Sequence, residues 1–134
     1  MTEPHGIKTR RGFYAILDLD ACGARPLREL AAALLAAKPI AMQIRGKGRS
    51  ARELYDAALA VKPLSATARC PLIVNDRLDV ALAVGATGVH LGQDDLPLAI
   101  ARKLAPAGFS IGVSTHALSE ALEAERGGAS LIGF

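Results

Sequence analysis

Pro71-Leu-Ile-Val-Asn-Asp-Arg77, followed by Gly88-Val-His-Leu-Gly-Gln-Asp-Asp95, is the part of the sequence on which the fold turns. Each segment is a short apolar run that closes on polar residues, the pattern of a strand buried on both faces. Between them Leu78–Val84 carries apolar residues suited to a short helix, and Gly85 is placed to end it. Strand, helix and strand follow one another within residues 71–95, the length of a crossover. The two strands are therefore expected to be parallel and joined right-handedly.

The same rhythm extends in both directions. Upstream, residues 13–18 read as a strand, Pro26 with residues 27–37 as an Ala/Leu-rich helix whose proline sits in the tolerated first turn, and residues 40–45 as a second strand. Ser50 followed by Glu53 forms a capping-box pattern that opens a helix to about residue 66. Downstream, residues 97–104 read as a helix and 110–113 as a strand. Residues 117–126 form a helix stopped by Gly127-Gly128, and 130–134 the start of a sixth strand.

Repeated βα units of this spacing predict an α/β protein, a (β/α)8 TIM barrel that covers about five and a half units, where a whole barrel needs about 250 residues. Residues 1–12 are expected to be a basic leader and 13–134 the N-terminal part of one barrel domain. An open sheet edge at Ile132-Gly133-Phe134 would be exposed to pairing, so the chain reads as a front portion whose remaining units lie elsewhere.

Composition agrees. Of 134 residues, 51% are apolar, 22% charged and only 4% aromatic, with no Trp, so the core must be built from Ala, Leu, Val and Ile. No apolar run reaches the roughly 18 residues of a membrane span, and the first dozen residues are not signal-like. A cytoplasmic protein without membrane partner is expected. Cys22 and Cys70 form no CxxC pair and are expected as free thiols. The net charge of +3 comes without aromatic interleaving or a recognised motif, so no nucleic-acid partner is expected.

Polar residues collect just after the apolar runs: Gln43, Arg45 and Lys47; Asn75 and Asp76; Gln93 to Asp95; Ser114 to His116. The C-terminal ends of parallel strands are where ligand sites form. Asp76 and Asp95 would stand at the ends of adjacent strands about 4.8 Å apart, close enough to share a hard cation. Mg²⁺ commonly takes one or two carboxylates together with substrate phosphate oxygens. Arg45 and Lys47, one loop away, suit the phosphates' remaining charge.

Each residue also has a plain structural explanation. Asp76 could cap the helix near Leu78, Asp94 or Asp95 the helix at Pro97, and Arg45 could be a loop charge. His90 is expected to be a packed, hydrogen-bonded barrel residue rather than a ligand, and with His5 and His116 it forms no HxH or HExxH spacing. No GxSxG elbow is present to support nucleophilic hydrolysis.

Met42-Gln-Ile-Arg-Gly-Lys-Gly48, Pro71 to Arg77, Gly88 to Asp95 and Gly112-Val-Ser-Thr-His116 together resemble the ordered signatures of the thiamine-phosphate synthase family, from about Phe13 to the last residue. The resemblance implies a transferase of thiamine biosynthesis that joins a hydroxymethylpyrimidine diphosphate to a thiazole phosphate. It places Gln43, Arg45, Lys47, Asn75 and Ser114 on the pyrimidine diphosphate and Asp76 and Asp95 on Mg²⁺. No general base is assigned. Gly46 stands where the family usually carries an acidic residue, and the family's thiazole-phosphate loop would lie beyond Phe134.

Two other functions remain open at this stage: a thiazole tautomerase-like relative on the same barrel, and a truncated non-catalytic chain that binds a phosphate ligand. The Asn75-Asp76 and Asp95 positions speak against the first, because a magnesium-diphosphate site has no use there. Expected partners are small molecules, with self-association through exposed strands left open.

Overall fold

The computed structural model describes Ile7 and residues 10–134. Most of the expected leader, His5 included, lies outside the described residues. Six strands alternate with five helices: β1 (Tyr14–Asp18), α1 (Leu27–Ala36), β2 (Ala41–Arg45), α2 (Ala51–Thr67), β3 (Leu72–Asn75), α3 (Leu78–Val84), β4 (Gly88–Leu91), α4 (Leu98–Leu104), β5 (Ser110–Ser114), α5 (Leu118–Arg126) and β6 (Leu131–Gly133).

The sheet order is β1-β2-β3-β4-β5-β6, every neighbour parallel. The order never reverses. Right-handed crossovers then place every helix on the same face, and the other face curls inward as in a barrel rather than receiving a second helical layer.

Strand alternation divides the side chains cleanly. Ala15, Leu17, Met42, Ile44, Leu72, Val74, Val89, Leu91 and Ile111 point outward and bury against Ala31, Leu35, Leu54, Ala58, Val61 and Ala81 of the helices. Fully burying such a side chain contributes about 1.5–3 kcal/mol, so this layer supplies most of the stability. The opposite, concave face carries Tyr14, Gln43, Asn75, His90 and Ser114. At its lower end Ile7, Ala41 and Ile73 form a small apolar floor with Tyr14 and Leu131 packed on it.

Local sequence explains the helix boundaries. Ser50 accepts a hydrogen bond from the Glu53 N–H (3.2 Å) while the Glu53 carboxylate accepts from the Ser50 N–H (2.8 Å), the reciprocal box the spacing predicts. Helix α2 runs on through Pro63, which lies exposed on its outer side. Gly85 ends α3 with φ +67°, a left-handed conformation that costs glycine nothing. Pro26 is found one place earlier than expected, as the residue flanking α1, its φ of −62° preset by the ring.

Candidate functional site

The upper end of the concave face is built by the ends of β1 to β5. Asp18 pairs in register with Arg45, Asn75 with His90, His90 with Gly112, and Ser114 with Gly133. Extending the β2–β3 register by one residue sets Arg45 beside Asn75, so Asp18, Arg45, Asn75 and His90 form one polar row across four strands. Tyr14 and His90 belong to this surface although neither was among the expected ligand residues. Their places at two-residue intervals from Asp18 and Gly88 are the signal that would have found them.

Contacts along this face fix several of the side chains. Gln43 donates from Nε2 to the Tyr14 hydroxyl (3.1 Å), and burial pushes the Tyr14 phenol up to about 12. Arg45 Nε lies 3.8 Å from the Asp18 carboxylate. His90 Nε2 and Ser114 Oγ are 2.8 Å apart, and burial holds the imidazole below its usual range, with the Asp95 charge pulling weakly the other way. Gln93 Nε2 donates to the Ser114 carbonyl (2.8 Å), tying the loop after β4 to the end of β5. Asn75 is buried at the end of β3.

Asp76 adopts φ +64°, a conformation that Asp and Asn tolerate better than other non-glycine residues. Its N–H donates to the His90 carbonyl (2.8 Å) and the Arg77 N–H to the Asn75 carbonyl (2.8 Å), so the chain turns sharply at this one residue. Such conformations persist where the surroundings over-determine them, often at functional sites. The turn brings the Asp76 carboxyl onto Asp95 and within 3.8 Å of Lys47 Nζ.

Desolvation raises the Asp76 carboxyl first, a hydrogen bond to Asp95 raises it further, and the Asp95 charge adds to both; Lys47 and Arg45 pull it down. Two carboxyls that share a site cannot both ionise freely without a proton or a cation between them. Asp95 is anchored in turn, one oxygen accepting the Gly92 N–H (2.7 Å).

The capping explanations fail. Helix α3 is flanked by Arg77 and α4 by Pro97, and neither has a side-chain cap, so neither aspartate caps a helix. Arg45 is the last residue of β2 rather than a loop charge. His116 is exposed and lies 3.9 Å from Glu120. Cys22 and Cys70 are free, as expected. No helix among the described residues is long and apolar enough to cross a membrane.

No group of three or more His, Cys, Asp or Glu side chains stands together as a metal cage among the described residues. Mg²⁺ bound through one or two carboxylates, water and phosphate oxygens does not need one. The crowded Asp76–Asp95 pair fits that kind of site, because a divalent ion between the two carboxyls would offset the mutual repulsion that raises Asp76.

Comparison with known proteins decides the family. The model of the thiamine monophosphate synthase family matches residues 13–134. The chain belongs to that family. It is 45% identical to a thiamine-phosphate synthase of Coprothermobacter proteolyticus over 99% of its own length and 63% of the relative's. It is also 45% identical to a thiamine-phosphate synthase of Chloroflexus aurantiacus, over 90% of this chain and 55% of that one. A solved thiamine phosphate pyrophosphorylase from Pyrococcus furiosus superposes with a TM-score of 0.82 at 33% identity, covering 98% of this chain and 61% of that one. The chain thus spans less than two thirds of the length of these family members, and within that span it holds the α/β half-barrel and the rim just described.

Proposed function

We propose that this chain carries the pyrimidine-diphosphate side of a thiamine-phosphate synthase site and serves, as a cytoplasmic transferase of thiamine biosynthesis, in joining a hydroxymethylpyrimidine diphosphate to a thiazole phosphate. The observation that carries the reading is the Asp76–Asp95 carboxyl pair, with Lys47 3.8 Å from Asp76 and Arg45 on the adjacent strand end. Carboxylates crowded together beside two loosely paired, partly exposed cations suit a ligand that is itself anionic and arrives with a divalent ion.

Asp76 and Asp95 would hold Mg²⁺, whose charge would neutralise the departing diphosphate. Arg45 and Lys47 supply the remaining positive charge at the diphosphate oxygens. Gln43, Asn75 and Ser114 offer hydrogen bonds to the pyrimidine and its linking atoms, Gln43 oriented by Tyr14 and Ser114 by His90. In the reaction the bond from the pyrimidine methylene to the diphosphate oxygen breaks, its electron pair leaving with diphosphate, and the thiazole nitrogen forms the new carbon–nitrogen bond. No step calls for a general base, in keeping with the neutral, buried His90.

The test is formation of thiamine phosphate from the two precursors with and without a chelator, alongside calorimetric titration of the chain with inorganic diphosphate and Mg²⁺. Chelator-sensitive turnover supports the whole reading. Magnesium-dependent diphosphate binding without turnover leaves the binding half and removes the catalytic claim, and absence of both refutes the reading.

A further inference from the structure

Outside the strand ends, one set of contacts converges on the loop that carries Lys47. Asp20, in the turn after β1, accepts the Gly48 N–H at Oδ2 (3.0 Å) and Arg49 Nε at Oδ1 (3.0 Å). Arg49 also donates from Nη2 to the Leu19 carbonyl (3.0 Å), and its Nη1 stands 4.0 Å from Glu53 of the capping box. Hydrogen bonds from Gly48 and Arg49 hold the Asp20 carboxyl below the usual carboxylate range.

The two glycines beside Lys47 are shaped to this arrangement. A Cβ at Gly48 would come within 3.2 Å of Asp20 Oδ1, so the absent side chain lets the backbone N–H approach the carboxylate without displacing it. A Cβ at Gly46 would come within 3.0 Å of Arg49 Cγ and 3.1 Å of Leu19 Cδ1, so the missing side chain is the space through which Arg49 folds back to Asp20. Lys47 itself has one charged partner among the described residues, Asp76 at 3.8 Å, and an exposed side chain. Nothing within its own loop holds it there.

We propose that Asp20 is a positioning residue for the phosphate-facing lysine: through Gly48 and Arg49 it locks the β2–α2 loop so that Lys47 faces Asp76. This rests on the functional reading above and adds to it a residue that never touches the ligand. An isolated exposed ion pair contributes little. The weight lies in one carboxylate gripping a backbone N–H and a guanidinium that is itself tied to a second backbone group.

The experiment is a double-mutant cycle on the 134-residue chain, read as affinity for inorganic diphosphate in the presence of Mg²⁺, with thermal unfolding recorded for every variant. Lys47→Ala is expected to weaken binding about tenfold, and Asp20→Ala about fivefold. The double variant should be no weaker than Lys47→Ala alone, because once the lysine is gone its placement no longer matters. Asp20→Asn keeps an acceptor for the Gly48 N–H and should recover part of the loss, which also provides the test should the alanine variant fail to fold.

Losses that multiply in the double variant, or an Asp20→Ala affinity equal to the parent's, overturn the proposal while the functional reading stands. A parent chain that binds no diphosphate, or binds it equally well as Lys47→Ala, removes the functional reading and this inference with it.

Discussion

His90 and Ser114 meet across the β4–β5 ladder, Nε2 to Oγ at 2.8 Å, while the other ring nitrogen, Nδ1, is buried without a hydrogen-bond partner among the described residues. The ring lies against Gly112, where any Cβ would collide with Nδ1. A buried polar atom left unpaired costs on the order of 1–3 kcal/mol, and protonating the ring would add a second buried donor with nowhere to go.

The pH dependence follows from that burial. The folded-state value of His90 is lowered from 6.5, so the unfolded chain binds the proton more readily. Stability should therefore be complete above 6.5 and decline as the pH falls below it toward the folded value. The midpoint of urea unfolding, followed from about pH 7.5 to 5.5, is expected to drop in the parent and to flatten in His90→Gln. An equally steep profile in His90→Gln would assign the dependence to another group.

Gly88→Ala tests the close approach of β4 and β5. A Cβ there would collide with the Ser110 carbonyl oxygen and stand 2.7 Å from Ser110 Cβ and 3.0 Å from Ile73 Cδ1. Backbone cannot swing aside as a side chain can. The expected loss is about 3 kcal/mol, the upper end for overpacking, measured as a lower urea midpoint with an unchanged slope. A change of only a few tenths would mean that the strands part easily at that point.

Much of this architecture was legible because its signals are local. Gly85, Gly127 and the Ser50–Glu53 box mark helix ends by chemistry confined to a single turn, and Leu78–Val84 and Gly88–Leu91 are found at the expected bounds. The rim was legible for a related reason: Gln43, Arg45, Asn75 and Asp76 lie at or next to the ends of apolar runs and Asp95 in the loop four residues past one, so the fold alone gathers them at one end. The positive φ of Asp76, the His90–Ser114 contact and the grip of Asp20 on Gly48 were not legible. Each depends on register between strands or on a loop's path, and no single segment of sequence encodes either. Asp20 in particular reads as one more polar residue in a turn until Gly48, distant in sequence, is seen against it.

The capping box makes a simpler claim about stability. Ser50→Ala removes the acceptor for the Glu53 N–H at the start of the longest helix, and Glu53 loses the geometry in which it accepts from the residue-50 N–H. About 1 kcal/mol should be lost, read by urea unfolding, and Ser50→Thr should restore most of it. Equal stability of the alanine variant would show that packing of α2 holds the turn without the cap.

Asp76 separates conformation from chemistry when three replacements are compared. Asn tolerates the left-handed conformation and removes the charge that crowds Asp95, so Asp76→Asn should leave stability within about 0.5 kcal/mol of the parent. Gly adopts φ +64° freely and should also be tolerated, whereas Ala must be forced into it and should cost about 1 kcal/mol more than Gly. Binding should sort differently. All three variants lose the carboxylate, so all three should weaken magnesium-dependent diphosphate binding by at least about tenfold, the scale of one charge-assisted contact. Thermal unfolding and diphosphate titration on the same samples give both orders. If binding followed stability, with Ala weak and Asn normal, Asp76 would be a turn residue and the magnesium assignment would pass to Asp95 alone.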